Sequence, residues 1–148
     1  MTFEFSEWRD DAAWQRRLAA DQATLDERLS ADQREVLGEI AGILGVGDAG
    51  DVLALDFMVV FGSYARGNQG AGSDLDIYFE ANLPEPVNRV DADRHHQVFG
   101  LPRGALATAL RESQDFGQRV VADALVIHDN GSFRRLLIFV DEGRTDRL

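Results

Sequence analysis

Apolar side chains recur along the chain with two periods, and the switches between those periods lay out its elements. From residue 4 to residue 29, Trp14, Leu18, Leu25 and Leu29 share one helical stripe, while Arg16, Arg17, Asp26 and Glu27 lie off it. Ser30-Ala31-Asp32-Gln33 has the form of a capping box. It predicts a second helix that buries Val36, Leu37, Ile40, Ile43 and Leu44 and stops in the Gly45 to Gly50 stretch. The apolar run from Leu53 to Phe61 reads as a buried strand, and Asp74 to Glu80 as a second strand. Residues 81–86 hold two prolines and predict a loop, and His96-Gln97-Val98-Phe99 is short enough for a third strand. Pro102-Arg103-Gly104 opens a helix bearing Leu106 and Leu110, and Phe116, Val120, Val121 and Ala124 make a further helical stripe. Leu125-Val126-Ile127 then leads into an Asp129-Asn130-Gly131 turn, followed by an apolar tail, Phe133 to Val140, and a charged end, Asp141 to Leu148.

This order predicts one α/β (α+β) domain over residues 51–148, preceded by a helical extension over residues 1–50. The extension either covers the sheet or docks a partner; an amphipathic stripe favours covering the sheet. No internal repeat or low-complexity segment interrupts the pattern.

Composition narrows the classes of function. A length of 148 residues suits one domain with one core, and 45% apolar content rules out wholesale disorder. The absence of cysteine removes disulfides, thiolate zinc sites and cysteine nucleophiles. The longest apolar stretch is interrupted by Asp56 and is too short to span a bilayer. The start, Met1-Thr2-Phe3-Glu4, lacks the basic and apolar regions of a secretion signal, so a cytoplasmic setting is expected. Net charge is -11, from 26 acidic residues against 15 cationic ones, all arginine. Such a surface disfavours long nucleic acids, whose binding relies on cations, and is compatible with Mg²⁺-carried nucleotide or with a basic protein partner.

One segment carries chemistry. It reads Val59-Val60-Phe61-Gly62-Ser63-Tyr64-Ala65-Arg66-Gly67, continues from Asn68 to Gly72, and ends Ser73-Asp74-Leu75-Asp76-Ile77-Tyr78-Phe79, with ten residues between Ser63 and Asp74. Alternate strand residues point to one face, so Asp74 and Asp76 are placed to hold the same hard cation. Oxygen ligands of this kind suit Mg²⁺ bound together with substrate phosphates. The Gly62-Ser63 turn presents backbone N–H groups and a hydroxyl, which hold an anion at a helix start. An Asp-x-Asp pair alone would be a weak signal; the combination is far more specific.

Gly-Ser, ten residues, Asp-x-Asp resembles the signature of the nucleotidyltransferase superfamily, especially its minimal branch. The resemblance covers roughly residues 52–130, with a looser match in the closing segment from Glu112 to Asp129. It implies the nucleotidyltransferase fold, a small mixed sheet flanked by helices. It also implies Mg²⁺ and ATP as cofactors, Asp74 and Asp76 as catalytic metal ligands, and Gly62 and Ser63 as triphosphate-binding residues. Arg66 either contacts a phosphate oxygen or is merely solvated. Active members supply a third carboxylate from a neighbouring strand. If His96 to Phe99 is that strand, Gln97 or a histidine replaces the acid; Asp91 and Asp93 precede it and rank ahead of Asp123 as substitutes. His95 and His96 face opposite ways on a strand, and no second spaced cluster completes a zinc site. His128 reads as a surface turn residue, and no His-Asp relay is spaced to make Ser63 a nucleophile.

The resemblance implies transfer of AMP from ATP to a hydroxyl. The short acidic chain looks like the antitoxin partners of HEPN-type toxins, which adenylylate a tyrosine on the toxin or hold it in a complex. A catalytically degenerate protein that neutralises its partner by binding is the alternative. An aminoglycoside-type adenylyltransferase is less favoured, because those enzymes carry a further helical domain and only about twenty residues follow Ile127.

Overall fold

Leu55-Asp56-Phe57-Met58-Val59-Val60-Phe61 is apolar at every position but one, the composition of a strand covered on both faces. In the computed structural model, which describes residues 9–43, 55–70, 72–91 and 96–143, this segment is buried at all seven positions. The elements run α1 (Asp11–Arg28), α2 (Ala31–Ile43), β1 (Leu55–Phe61), α3 (Ser63–Arg66), β2 (Leu75–Ala81), β3 (Val87–Asp91), β4 (His96–Pro102), α4 (Ala105–Arg111), α5 (Asp115–Asp123), β5 (Leu125–Asp129) and α6 (Ser132–Asp141). They build a mixed five-stranded sheet in the order β3-β4-β2-β1-β5, in which only β2 and β4 run parallel.

Strand alternation divides the core in two. Phe57, Val59, Phe61 and Tyr78 pack with Leu106, Leu110, Val120, Val121, Phe133 and Leu137, so α4, α5 and α6 cover one face. Met58, Val60, Leu75, Ile77, Phe79 and Val98 pack with Leu25, Leu29 and Val36, so α1 and α2 cover the other. Phe57 and Phe133 are essentially inaccessible; truncating either to alanine costs ~3–5 kcal/mol.

Helix α1 also crosses the edge strand β5. Asp21 accepts the Val126 N–H at 2.9 Å, Gln22 donates to the Ile127 carbonyl at 3.1 Å, and Arg17 donates to the Ala124 carbonyl at 2.8 Å. These side chains satisfy backbone groups that a bare edge would leave open.

Several boundaries differ from the sequence pattern. The first helix starts at Asp11 because the Asp10 carboxylate accepts the Ala12 N–H at 2.9 Å and caps it; residues 4–8 lie outside the described ones. The capping box forms as expected, Ser30 N–H to Gln33 Oε1 at 2.9 Å and Gln33 N–H to Ser30 Oγ at 3.2 Å. The side chains of Ile40 and Ile43, and residues 44–54, lie outside the described ones. Strand β2 begins at Leu75, leaving Asp74 just ahead of it, and β4 runs on to Pro102. Strand β3 is additional, and the apolar tail is helix α6. The Asp129 carboxylate starts that helix by accepting the N–H groups of Gly131, Phe133 and Arg134. His128 stands on β5 opposite Met58, not in the turn. The expected end from residue 144 lies outside the described residues, among which no helix is long and apolar enough to cross a membrane.

Candidate active site

Strand β1 delivers the chain to the Gly-Ser turn beside the start of β2, since Phe61 pairs with Asp76. Gly62 adopts φ 78° and ψ -153°, a region open in practice only to glycine. A Cβ there would also collide with the Asp76 Oδ2 atom. Glycine is thus required twice, once for the backbone and once to let the Asp76 carboxylate lie against the turn. One helical turn follows. The Arg66 N–H reaches the Gly62 carbonyl at 3.0 Å, and the N–H groups of Gly67 and Asn68 reach the Ser63 carbonyl at 2.9 and 3.1 Å.

So short a helix needs outside support. Arg28 of α1 supplies it by donating to the Tyr64 and Ala65 carbonyls at 2.9 and 2.8 Å. The loop to β2 is tied by a reciprocal pair, Gly70 N–H to Ser73 Oγ at 2.8 Å and Ser73 N–H to the Gly70 carbonyl at 3.0 Å. The ten-residue spacing therefore returns Asp74 and Asp76 to the turn from which the loop departed.

Asp74 is exposed and Asp76 half-buried. Burial pushes the Asp76 carboxyl above the usual carboxylate range and the neighbouring Asp74 adds to the rise, against the pull of Arg119 and then Arg66. Two like charges held together, one of them partly desolvated, are relieved by a bound cation. The donors are hard carboxylate oxygens, which fit Mg²⁺. Among the described residues no group of three or more His, Cys, Asp and Glu side chains converges.

The neighbouring strands explain this. On β4, the parallel neighbour of β2, the residue opposite Asp76 is Gln97, and beyond it on β3 stands Val90. Asp91 pairs with His96, which pairs with Leu75, so Asp91 ends an edge strand separated from β2 by the whole of β4. That is roughly 10 Å of sheet between backbones. Strands β3 and β4 pair without a break, and the Asp91 side chain lies outside the described ones. Asp93 and His95 lie outside the described residues.

The acid ranked last in sequence does reach the motif. Asp123 Oδ2 accepts from Arg66 Nη1 at 2.7 Å, so Arg66 is ion-paired. Helix α5 arranges this by turning Phe116, Val120, Val121 and Ala124 inward. Its other side borders a cleft of about 570 Å³ lined by Arg66, Asp115, Gln118, Arg119, Ala122 and Asp123. Arg119 was missed in sequence. Its signal was its place four residues from both Asp115 and Asp123, off the apolar stripe.

A second hollow, of about 250 Å³, lies at the opposite end of the sheet. Its acids hold the scaffold. Asp56 accepts from Arg103 Nε at 2.6 Å and from Asn130 at 3.0 Å. Glu80 accepts from the Tyr78 hydroxyl at 2.7 Å and from the N–H groups of Gly104 and Leu106 at 2.9 and 2.7 Å. These bonds fasten the start of α4 and the β5–α6 turn to the sheet.

A family model described as nucleotidyltransferase domain matches residues 53–143, from the start of β1 through α6. No curated protein matches the chain.

Proposed function

We propose, from the premise that this chain belongs to the nucleotidyltransferase domain family, that it transfers AMP from ATP to a hydroxyl group with the help of Mg²⁺. The observation that supports this reading is the Gly62 turn pressed against Asp76, which brings the glycine-serine turn and that carboxylate together. Asp74 and Asp76 are the residues that would hold Mg²⁺. When bound, the ion neutralises phosphate charge and helps orient the groups for in-line displacement. Gly62 and Ser63 hold the triphosphate through backbone N–H groups and the hydroxyl. Arg66 exchanges Asp123 for a phosphate oxygen. The acceptor oxygen bonds to the α-phosphorus, the bond to the bridging β-oxygen breaks, pyrophosphate leaves, and the acceptor's proton passes to solvent.

The acceptor in this reading is a tyrosine of a HEPN-type toxin in the cytoplasm, with the chain acting as its antitoxin. The -11 charge complements a basic protein partner. One observation favours a second reading. Gln97 stands where a third carboxylate would face Asp76, and a site with one acid fewer suits a protein that binds nucleotide and partner without transfer.

Incubation with α-labelled ATP, Mg²⁺ and the protein encoded next door separates the two. Transfer predicts label on the partner, lost in the Asp74→Asn, Asp76→Asn double variant. A tight stoichiometric complex without label would reject transfer and support binding alone.

A further inference from the structure

We propose that Arg119 is a second phosphate-binding residue of the nucleotide site, a guanidinium that shares the α3–α5 cleft with Arg66. This rests on the nucleotide reading given above. Helix α5 commits Phe116, Val120, Val121 and Ala124 to the core, and the cleft takes its lining from the remaining face. Arg66 enters from the other wall, on the helix that follows the Gly-Ser turn. The volume of about 570 Å³ falls in the range of small-molecule sites.

The pairing pattern distinguishes Arg119 from an ordinary surface arginine. Asp115 and Asp123 stand four residues before and after it, the spacing at which helical ion pairs form. Asp123 is engaged by Arg66 instead. Arg119 is exposed and makes no hydrogen bond or ion pair with an acid among the described residues. It lines the same cleft as Arg66, the cation that follows the Gly-Ser turn. In a chain with 26 acids against 15 arginines, a guanidinium with no acid partner among the described residues, in one cleft with Arg66, is poised for an incoming anion. The chemistry calls for one. A triphosphate carries more negative charge than a single divalent cation neutralises. A planar fork of N–H donors suits the remaining phosphate oxygens.

The test is equilibrium binding of ATP, AMP and adenosine in Mg²⁺ by isothermal calorimetry. It compares wild type, Arg119→Ala, Arg119→Lys, and Arg135→Ala from the hollow at the opposite end of the sheet. Arg119→Ala is expected to weaken ATP ~10- to 100-fold, the range for one charge-assisted contact. Adenosine affinity should stay unchanged, and the ATP loss should shrink as salt rises. Arg119→Lys should recover part of the loss, and Arg135→Ala should bind as wild type does. All variants should melt with the wild type, because Arg119 is exposed. Wild-type ATP affinity in Arg119→Ala would overturn the inference while leaving the nucleotide reading intact. Equal losses for ATP and adenosine would also overturn it. Failure of the wild type to bind ATP would overturn both.

Discussion

Replacing Gly62 with alanine perturbs the backbone and the carboxylate site with one methyl group. At φ 78° and ψ -153° the substitution forces a residue with a side chain into a region that costs about 1–3 kcal/mol. The methyl also overlaps Asp76 Oδ2, and relieving that overlap by moving the carboxylate or opening the turn adds about 1–3 kcal/mol. Stiffening of the unfolded chain returns about 0.4–1 kcal/mol. The net destabilisation is about 2–5 kcal/mol, which in a domain of this size lowers the melting temperature by roughly 5–15 °C. Differential scanning calorimetry measures the shift, and a Mg²⁺-ATP titration on the same sample should show affinity falling about tenfold or more as Asp76 leaves its position. Gly38→Ala is the control. Nothing lies within 4 Å of a Cβ there, so that variant should melt at or above the wild type. A Gly62→Ala protein that melts within about 1 °C of wild type and binds nucleotide unchanged would refute the reasoning.

Three further outcomes are expected. Arg28→Ala removes both donors to the α3 carbonyls, costing about 2 kcal/mol in chemical denaturation and weakening nucleotide binding although Arg28 itself is remote from Asp76 in sequence; stability and binding both equal to wild type would argue against this support. The Asp21 carboxyl is held above its ordinary value of 3.8 chiefly by burial, against the Val126 N–H and Arg17. The contribution of its neutral form is full below that ordinary value and is lost as pH rises through the raised folded value. Urea unfolding from about pH 3 to about pH 7 should therefore show Asp21→Asn gaining on the wild type as pH climbs, then levelling; parallel curves would contradict the burial account. Gln97→Asp sets a third carboxylate opposite Asp76 and should tighten Mn²⁺ binding, read by electron paramagnetic resonance, on the order of tenfold; unchanged binding would mean that β4 does not face the metal site.

The parts legible in sequence are those set by neighbours along the chain. Strand β1 was plain because six of its seven residues are apolar, and the Gly-Ser turn and Asp-x-Asp pair lie within one β-α-β excursion. Strand β3 was not legible, since Val87-Asn88-Arg89-Val90-Asp91 has only two apolar residues and forms by pairing at an edge. The apolar tail could not be assigned a type by its run alone; Asp129 makes it a helix by capping it. The surroundings of the candidate third acids were hidden for a related reason. Asp91 and Asp93 stand close to β4 in sequence, but Asp91 belongs to a separate strand, while Asp123 reaches Arg66 only because α5 docks on the sheet. Arg119 was hidden by the same tertiary step. The polar grip of α1 on β5 joins residues more than a hundred positions apart, and no periodicity could have announced it.

The central claim is that the Gly62-Ser63 turn and the Asp74/Asp76 pair form one Mg²⁺-dependent nucleotide seat. Isothermal calorimetry of ATP with and without Mg²⁺, on the wild type and the Asp74→Asn, Asp76→Asn variant, tests it most directly. The predicted result is one ATP bound per wild-type chain only when Mg²⁺ is present, with binding lost in the folded double variant. Equal ATP affinity in both proteins, or binding indifferent to Mg²⁺, would contradict it.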